Sequence, residues 1–121
     1  MVFREGLRAL LGRVDDIEIV GEAANTQDAV EVTEALRPDV VLMDLNLPGD
    51  GGEAATTTIL AAHPEVAVLV LTMHSDDAHL RHALQAGARG YLLKDAEPDA
   101  IIRAILAVHE GQAIFDPGIA A

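Results

Sequence analysis

Val40-Val41-Leu42-Met43-Asp44, running straight into Leu45-Asn46-Leu47-Pro48-Gly49-Asp50-Gly51-Gly52, is the stretch on which the fold turns. Four apolar residues in a row, without alternation, fit a strand covered on both faces, as central strands of parallel sheets are. The run stops at a carboxylate, and the Pro/Gly-rich segment after it is a dense turn. Two later segments repeat the form. Residues 66–71 are apolar and end at Thr72, and Gly90-Tyr91-Leu92-Leu93 ends at Lys94.

Helical spacing fills the intervals. Residues 53–62 form a small-residue helix ended by His63-Pro64. A loop with Ser75-Asp76-Asp77 caps a helix over 78–86, closed by Gly87. Pro98 opens a last helix over 98–110, closed by Gly111. Working the other way, residues 26–36 form a helix with Thr26 as N-cap and Pro38 preventing continuation. Ile17-Glu18-Ile19-Val20-Gly21 alternates, which predicts a strand open to water on one face. Residues 3–12 form a helix with Phe3, Leu7, Leu10 and Leu11 on one side.

The order is a helix, then strand and helix four times. Such alternation predicts a doubly wound parallel sheet with helices on both faces. Folds of this kind normally begin with a strand, so either the fold is unusual or its first strand is missing. Residues 1–111 account for one domain, and 112–121 read as the start of a linker.

Composition narrows the function. Half of the 121 residues are apolar, and aromatics are confined to Phe3, Tyr91 and Phe115. With no cysteine, disulfides and thiolate metal sites are excluded. The longest uncharged apolar run, 66–73, is too short to cross a bilayer, and the first residues carry no signal-peptide pattern; a cytoplasmic location is the expectation. A net charge of −12 argues against DNA binding by these residues.

In open parallel sheets, ligands bind at the carboxyl ends of the strands. The residues there are Asp44, Thr72 and Lys94. Each alone could simply mark where a buried strand stops. Together, with the glycine-rich turn, they suit phosphoryl transfer. A carboxylate can attack phosphorus and form an acyl phosphate, and the phosphoryl oxygens need a cation and hydrogen-bond donors, which Lys94 and Thr72 supply. Such transfer usually involves Mg²⁺, for which Asp44 and the backbone carbonyl of Asn46 are candidate ligands, although a dedicated site would want further acid nearby.

These segments resemble a known family. Residues 39–49 are similar to the phosphorylation segment of bacterial response-regulator receivers, Leu69-Val70-Leu71-Thr72 to the strand ending in its Ser/Thr position, and residues 86–95 to the segment with its switch aromatic and lysine. Arg4-Glu5-Gly6-Leu7-Arg8-Ala9-Leu10-Leu11 and Val20-Gly21-Glu22-Ala23 resemble the NarL/LuxR-type subfamily. The resemblance implies a flavodoxin-like (CheY-like) fold with a histidine kinase as phosphoryl donor, Asp44 as acceptor, Thr72 and Lys94 as phosphate readers, and Tyr91 as the aromatic that changes rotamer. It implies transcriptional control through a DNA-binding output domain outside these residues.

One departure from the family's pattern stands out. The family's first strand ends in an acidic pair that holds Mg²⁺, and by this alignment it would lie ahead of Met1. Weak Mg²⁺ binding is the expectation, and Asp15-Asp16 reads as solvated charge near the opposite rim. In the family's strand order, 2-1-3-4-5, that strand lies between residues 17–21 and 40–44. The gap is expected to close by direct pairing of those two segments or by exchange of a segment with a second copy. The last helix has more apolar residues than one core-facing stripe needs, consistent with a homodimer. His79 and His82, spaced i, i+3, read as exposed helix residues rather than a metal site.

Two rival readings differ in class. A degenerate receiver would serve as a phosphorylation-independent binding or dimerisation module. A haloacid-dehalogenase-type phosphatase needs a second acid two residues after the nucleophile, where this chain has Asn46, so an enzyme is not expected.

Overall fold

The computed structural model describes the backbone of residues 2–45, 51–72, 77–94 and 96–115, and side chains from residue 6 onward except 77–80, 114 and 115. The elements in chain order are α1 (Val2–Leu11), α2 (Thr26–Leu36), β1 (Val40–Asp44), α3 (Gly52–Ala62), β2 (Ala67–Thr72), α4 (Asp77–Ala86), β3 (Gly90–Leu93), α5 (Pro98–His109) and β4 (Ile114–Phe115). The strands form one sheet in the order β1-β2-β3-β4, and every pairing in it is parallel.

The continuous apolar run of β2 has a direct structural reason. All six of its residues are buried, and they divide with period two between the faces of the sheet. Val68 and Val70 join Met43, Tyr91, Ala29 of α2, Ala55 and Ile59 of α3 and Ala83 of α4. Ala67, Leu69 and Leu71 join Leu92, Leu11 of α1 and Ile101, Ala104, Ile105 and Val108 of α5. The helices therefore lie in two layers, α2–α4 on one face and α1 with α5 on the other. This is the doubly wound architecture expected from the alternation of elements.

Several boundaries differ from the sequence reading. The N-cap of α2 is Asn25, not Thr26. Asn25 is extended, and its side-chain oxygen accepts from the Asp28 N–H at 2.8 Å, while Thr26 is buried as the first helical residue. Arg37 ends that helix in the left-handed region, with φ 48, and donates its N–H to the Thr33 carbonyl. Ile114–Phe115, inside the stretch read as linker, forms a short strand opposite Gly90 and Tyr91 of β3.

The larger correction concerns residues 17–21. They form no strand and do not pair with β1. Alternation predicts a strand only where a neighbouring backbone completes the ladder. Here Ile17 and Ile19 pack against the α1/α5-side core, and Gly21 comes so close to α2 that a Cβ there would lie 2.6 Å from Leu36 Cδ1. A groove of about 560 Å³ separates this segment from β1. Direct closure of the gap is thus not what this chain does.

Candidate functional site

Sheet register brings the three strand-end residues together. Asp44 lies opposite Leu71 of β2, the next residue, Thr72, lies opposite Leu93 of β3, and Lys94 follows directly. Two backbone hydrogen bonds carry the ladder past the strand ends, from Leu45 N–H to the Leu71 carbonyl at 3.2 Å and from Lys94 N–H to the Thr72 carbonyl at 2.8 Å. Neighbouring parallel strands lie about 4.8 Å apart, so the three residues occupy adjacent places along one rim.

Their side chains meet in part. The Lys94 ammonium donates to Asp44 Oδ2 at 2.7 Å. Both groups are largely sheltered, with side chains 12% and 18% exposed respectively. An ion pair in that setting is less screened than a surface pair and keeps its geometry. Thr72 is fully buried at the end of β2. Tyr91 is fully buried too, but it lies opposite Val70, two steps in from Thr72. It belongs to the core cluster on the α2–α4 face and is not among the rim residues.

The sequence reading missed the fit between α3 and the Asp44 end of β1. By sequence pattern alone, Gly51 and Gly52 are turn residues. Gly51 has φ +99, a conformation that favours glycine. At Gly52 a Cβ would lie 2.8 Å from the Asp44 carbonyl oxygen and 3.0 Å from Leu45 Cα, so only glycine lets the first turn of α3 approach the strand this closely. The fully buried Thr56 completes that turn, its hydroxyl donating to the Gly52 carbonyl at 2.7 Å. The double glycine was the available signal, but its meaning depends on what the backbone meets.

As a metal centre, the described residues fall short. No group of three or more His, Asp or Glu is placed to hold a metal ion among them. At the rim they supply one carboxylate, and one of its oxygens already accepts from Lys94. Mg²⁺ demands near-octahedral oxygen coordination and is reluctant to shed water, so these residues alone do not make a Mg²⁺ site. Asn46, whose carbonyl was a candidate ligand, lies outside the described residues. Asp15 and Asp16 are exposed, and Asp16 lines the groove beside β1 rather than the rim. The side chain of His79 is also outside the described set, while His82 lies 3.2 Å from Glu53.

Comparison with known proteins gives a consistent picture. The response regulator receiver domain pattern matches residues 1–106. The transcriptional regulatory protein DegU of Brevibacillus brevis is 40% identical over 118 residues, covering 98% of this chain and 50% of DegU. The oxygen regulatory protein NreC of Staphylococcus carnosus is 38% identical over 117 residues, covering 96% of this chain and 54% of NreC. The chain thus spans about half the length of these curated relatives. Among solved structures, a LuxR-family two-component response regulator from Aurantimonas sp. SI85-9A1 superposes with a TM-score of 0.93 at 38% identity, covering 98% of this chain and 85% of that one. The signal receiver domain of the putative response regulator NarL from Mycobacterium tuberculosis superposes with a TM-score of 0.88 at 34% identity, covering 92% and 90%.

Proposed function

This chain belongs to the response-regulator receiver family, with relatives of the NarL/LuxR type, and from that premise we propose that Asp44 accepts a phosphoryl group from a histidine kinase and thereby switches a transcriptional output. The observation that carries the proposal is the rim arrangement, in which Lys94 Nζ stands 2.7 Å from Asp44 Oδ2 beside the end of β2. In the transfer, an Asp44 carboxylate oxygen bonds to phosphorus as the phosphorus–nitrogen bond to the kinase imidazole breaks, and that nitrogen regains its electron pair.

Phosphorylation replaces a single negative charge by about two. The Lys94 ammonium then has stronger acceptors on the phosphoryl group than on the bare carboxylate, and the Thr72 hydroxyl has a new acceptor. Movement of these two groups at the ends of β2 and β3 is the signal, and Tyr91, on β3 within the core cluster, changes rotamer in response. Mg²⁺, when bound, offsets charge on the phosphoryl oxygens. With one carboxylate at the rim among the described residues, weak binding is the expectation for this chain. The rim acts once per transfer and does not turn over a substrate, so no enzyme activity is assigned. Self-association would use the apolar surplus of α5, where Ile102 and Leu106 are partly exposed, and DNA would be bound by a separate output domain reached after residue 111. Within the described residues, no helix is long and apolar enough to cross a membrane.

Treatment with a small phosphodonor such as acetyl phosphate, followed by intact-mass measurement, tests the proposal. The expected result is the addition of one phosphoryl group, lost in Asp44→Asn and absent when the donor is omitted. Modification that survives Asp44→Asn would refute it. A degenerate receiver is the second reading, favoured by the bond that already joins Asp44 to Lys94; it predicts no mass change in the wild-type chain.

A further inference from the structure

Among the described residues, β4 is the most lightly held strand of the sheet. β1 and β2 share five residue pairs and β2 and β3 share four, whereas β4 meets β3 at two, Ile114 opposite Gly90 and Phe115 opposite Tyr91. A parallel ladder that short opens at little cost, because few hydrogen bonds hold it. The residues leading into it, Gln112 and Ala113, are exposed. The chain arrives there from α5 through Gly111, whose φ is +92. That turn is fixed by two backbone bonds, from Gly111 N–H to the Val108 carbonyl at 3.1 Å and from Gln112 N–H to the Ala107 carbonyl at 3.0 Å. The chain after Gln112 is therefore able to leave the sheet edge without disturbing the end of α5.

Sheet order sets the direction of a coupling between this edge and the rim. Lys94 directly follows β3, and its ammonium reaches past the end of β2 to Asp44 on β1. β4 lies on the other side of β3. A stronger pull on Lys94 draws β3 toward β1 and away from β4. The distance to be bridged is short, because Tyr91, which faces Phe115 in register, precedes Lys94 by about 10 Å along the strand.

We propose that β4 is a releasable strap whose pairing with Gly90 and Tyr91 is set by the contact between Lys94 and Asp44. A phosphoryl group on Asp44 strengthens the pull on Lys94 and frees Ile114 and Phe115 from the sheet edge, which loosens the tether of the chain that follows. This phosphate response rests on Asp44 being the acceptor, whereas the dependence of the strap on Lys94 does not.

Amide hydrogen exchange read by NMR tests the strap, with the β2 amides as internal reference and intact mass to count phosphoryl groups. Lys94→Met removes the pull without any phosphate. It should slow exchange at Ile114 and Phe115 about threefold relative to β2, and Asp44→Asn should do the same. General loss of stability would instead speed exchange at both places. Where acetyl phosphate adds one phosphoryl group to the wild type, exchange at Ile114 and Phe115 should quicken by a similar factor, and Lys94→Met should abolish that change. Unchanged or faster exchange of these two amides relative to β2 in both Lys94→Met and Asp44→Asn would overturn the proposal. So would a phosphorylated wild type in which they exchange no faster. A chain that gains no mass sinks the phosphoacceptor reading alone, and the two substitutions still decide the strap.

Discussion

Removing the Lys94 ammonium tests the central contact of the rim most directly. At 2.7 Å and an effective dielectric of about 20, two unit charges attract by about 6 kcal/mol before desolvation. Side chains only 12% and 18% exposed have lost most of their water, and that loss offsets much of the attraction. What survives is close to the net worth of a charged hydrogen bond, about 1.5–3 kcal/mol. Lys94→Met keeps the length of the side chain and removes the charge, and Asp44→Asn keeps the shape of the carboxylate. Urea unfolding of the wild type, the two single variants and the double variant gives the coupling energy, expected at about 1–2 kcal/mol. High salt should reduce the coupling only modestly, because the pair is sheltered. A coupling near zero at both low and high salt would refute the reasoning, since the pair would then behave as a surface contact. In the same series, Lys94→Met should leave modification of Asp44 by acetyl phosphate detectable while abolishing the exchange-rate changes that phosphorylation causes along β2 and β3.

Three other outcomes follow from particular contacts. Gly52→Ala places a methyl group 2.8 Å from the Asp44 carbonyl oxygen and should destabilise the chain by about 1–3 kcal/mol through overpacking; full stability in a denaturant titration would mean that the α3 start can move away from β1. Ile59→Ala empties a fully buried position in the cluster on the α2–α4 face and should cost about 2–5 kcal/mol, read from the unfolding midpoint. His63, nearly buried at the end of α3, holds Glu34 of α2 at 2.7 Å, and that hydrogen bond, with the charge of His63, draws the Glu34 carboxyl below its ordinary value of 4.5. A carboxyl depressed in the folded state adds stability above its unfolded value and loses it as pH falls through the folded one. Glu34→Gln should therefore flatten the acid limb of the stability–pH curve below about pH 4.5 and leave its slope at alkaline pH unchanged.

Much of the molecule was legible in the linear pattern. The apolar runs 40–43, 66–71 and 90–93 are readable because a strand covered on both faces needs no alternation, and the helices between them because proline, glycine and short polar residues mark their ends. Asp44, Thr72 and Lys94 could be named because each directly closes one of those runs. The N-cap of α2 was misread by one residue, since Asn25 and Thr26 are both competent and only backbone geometry chooses between them. The function of Gly52 was hidden because a glycine in a turn looks the same whether or not something presses against it.

What the sequence determined by itself was therefore the set of buried strands, the layered architecture and the identity of the rim residues, all of which follow from local hydrophobic pattern. Tertiary structure decided the rest. Residues 17–21 alternate as a strand should, yet a strand exists only with a hydrogen-bonding neighbour, and the groove beside β1 leaves them without one. Sheet register, a property of three chain segments at once, set Lys94 against Asp44 at 2.7 Å and kept Tyr91 two steps in from Thr72.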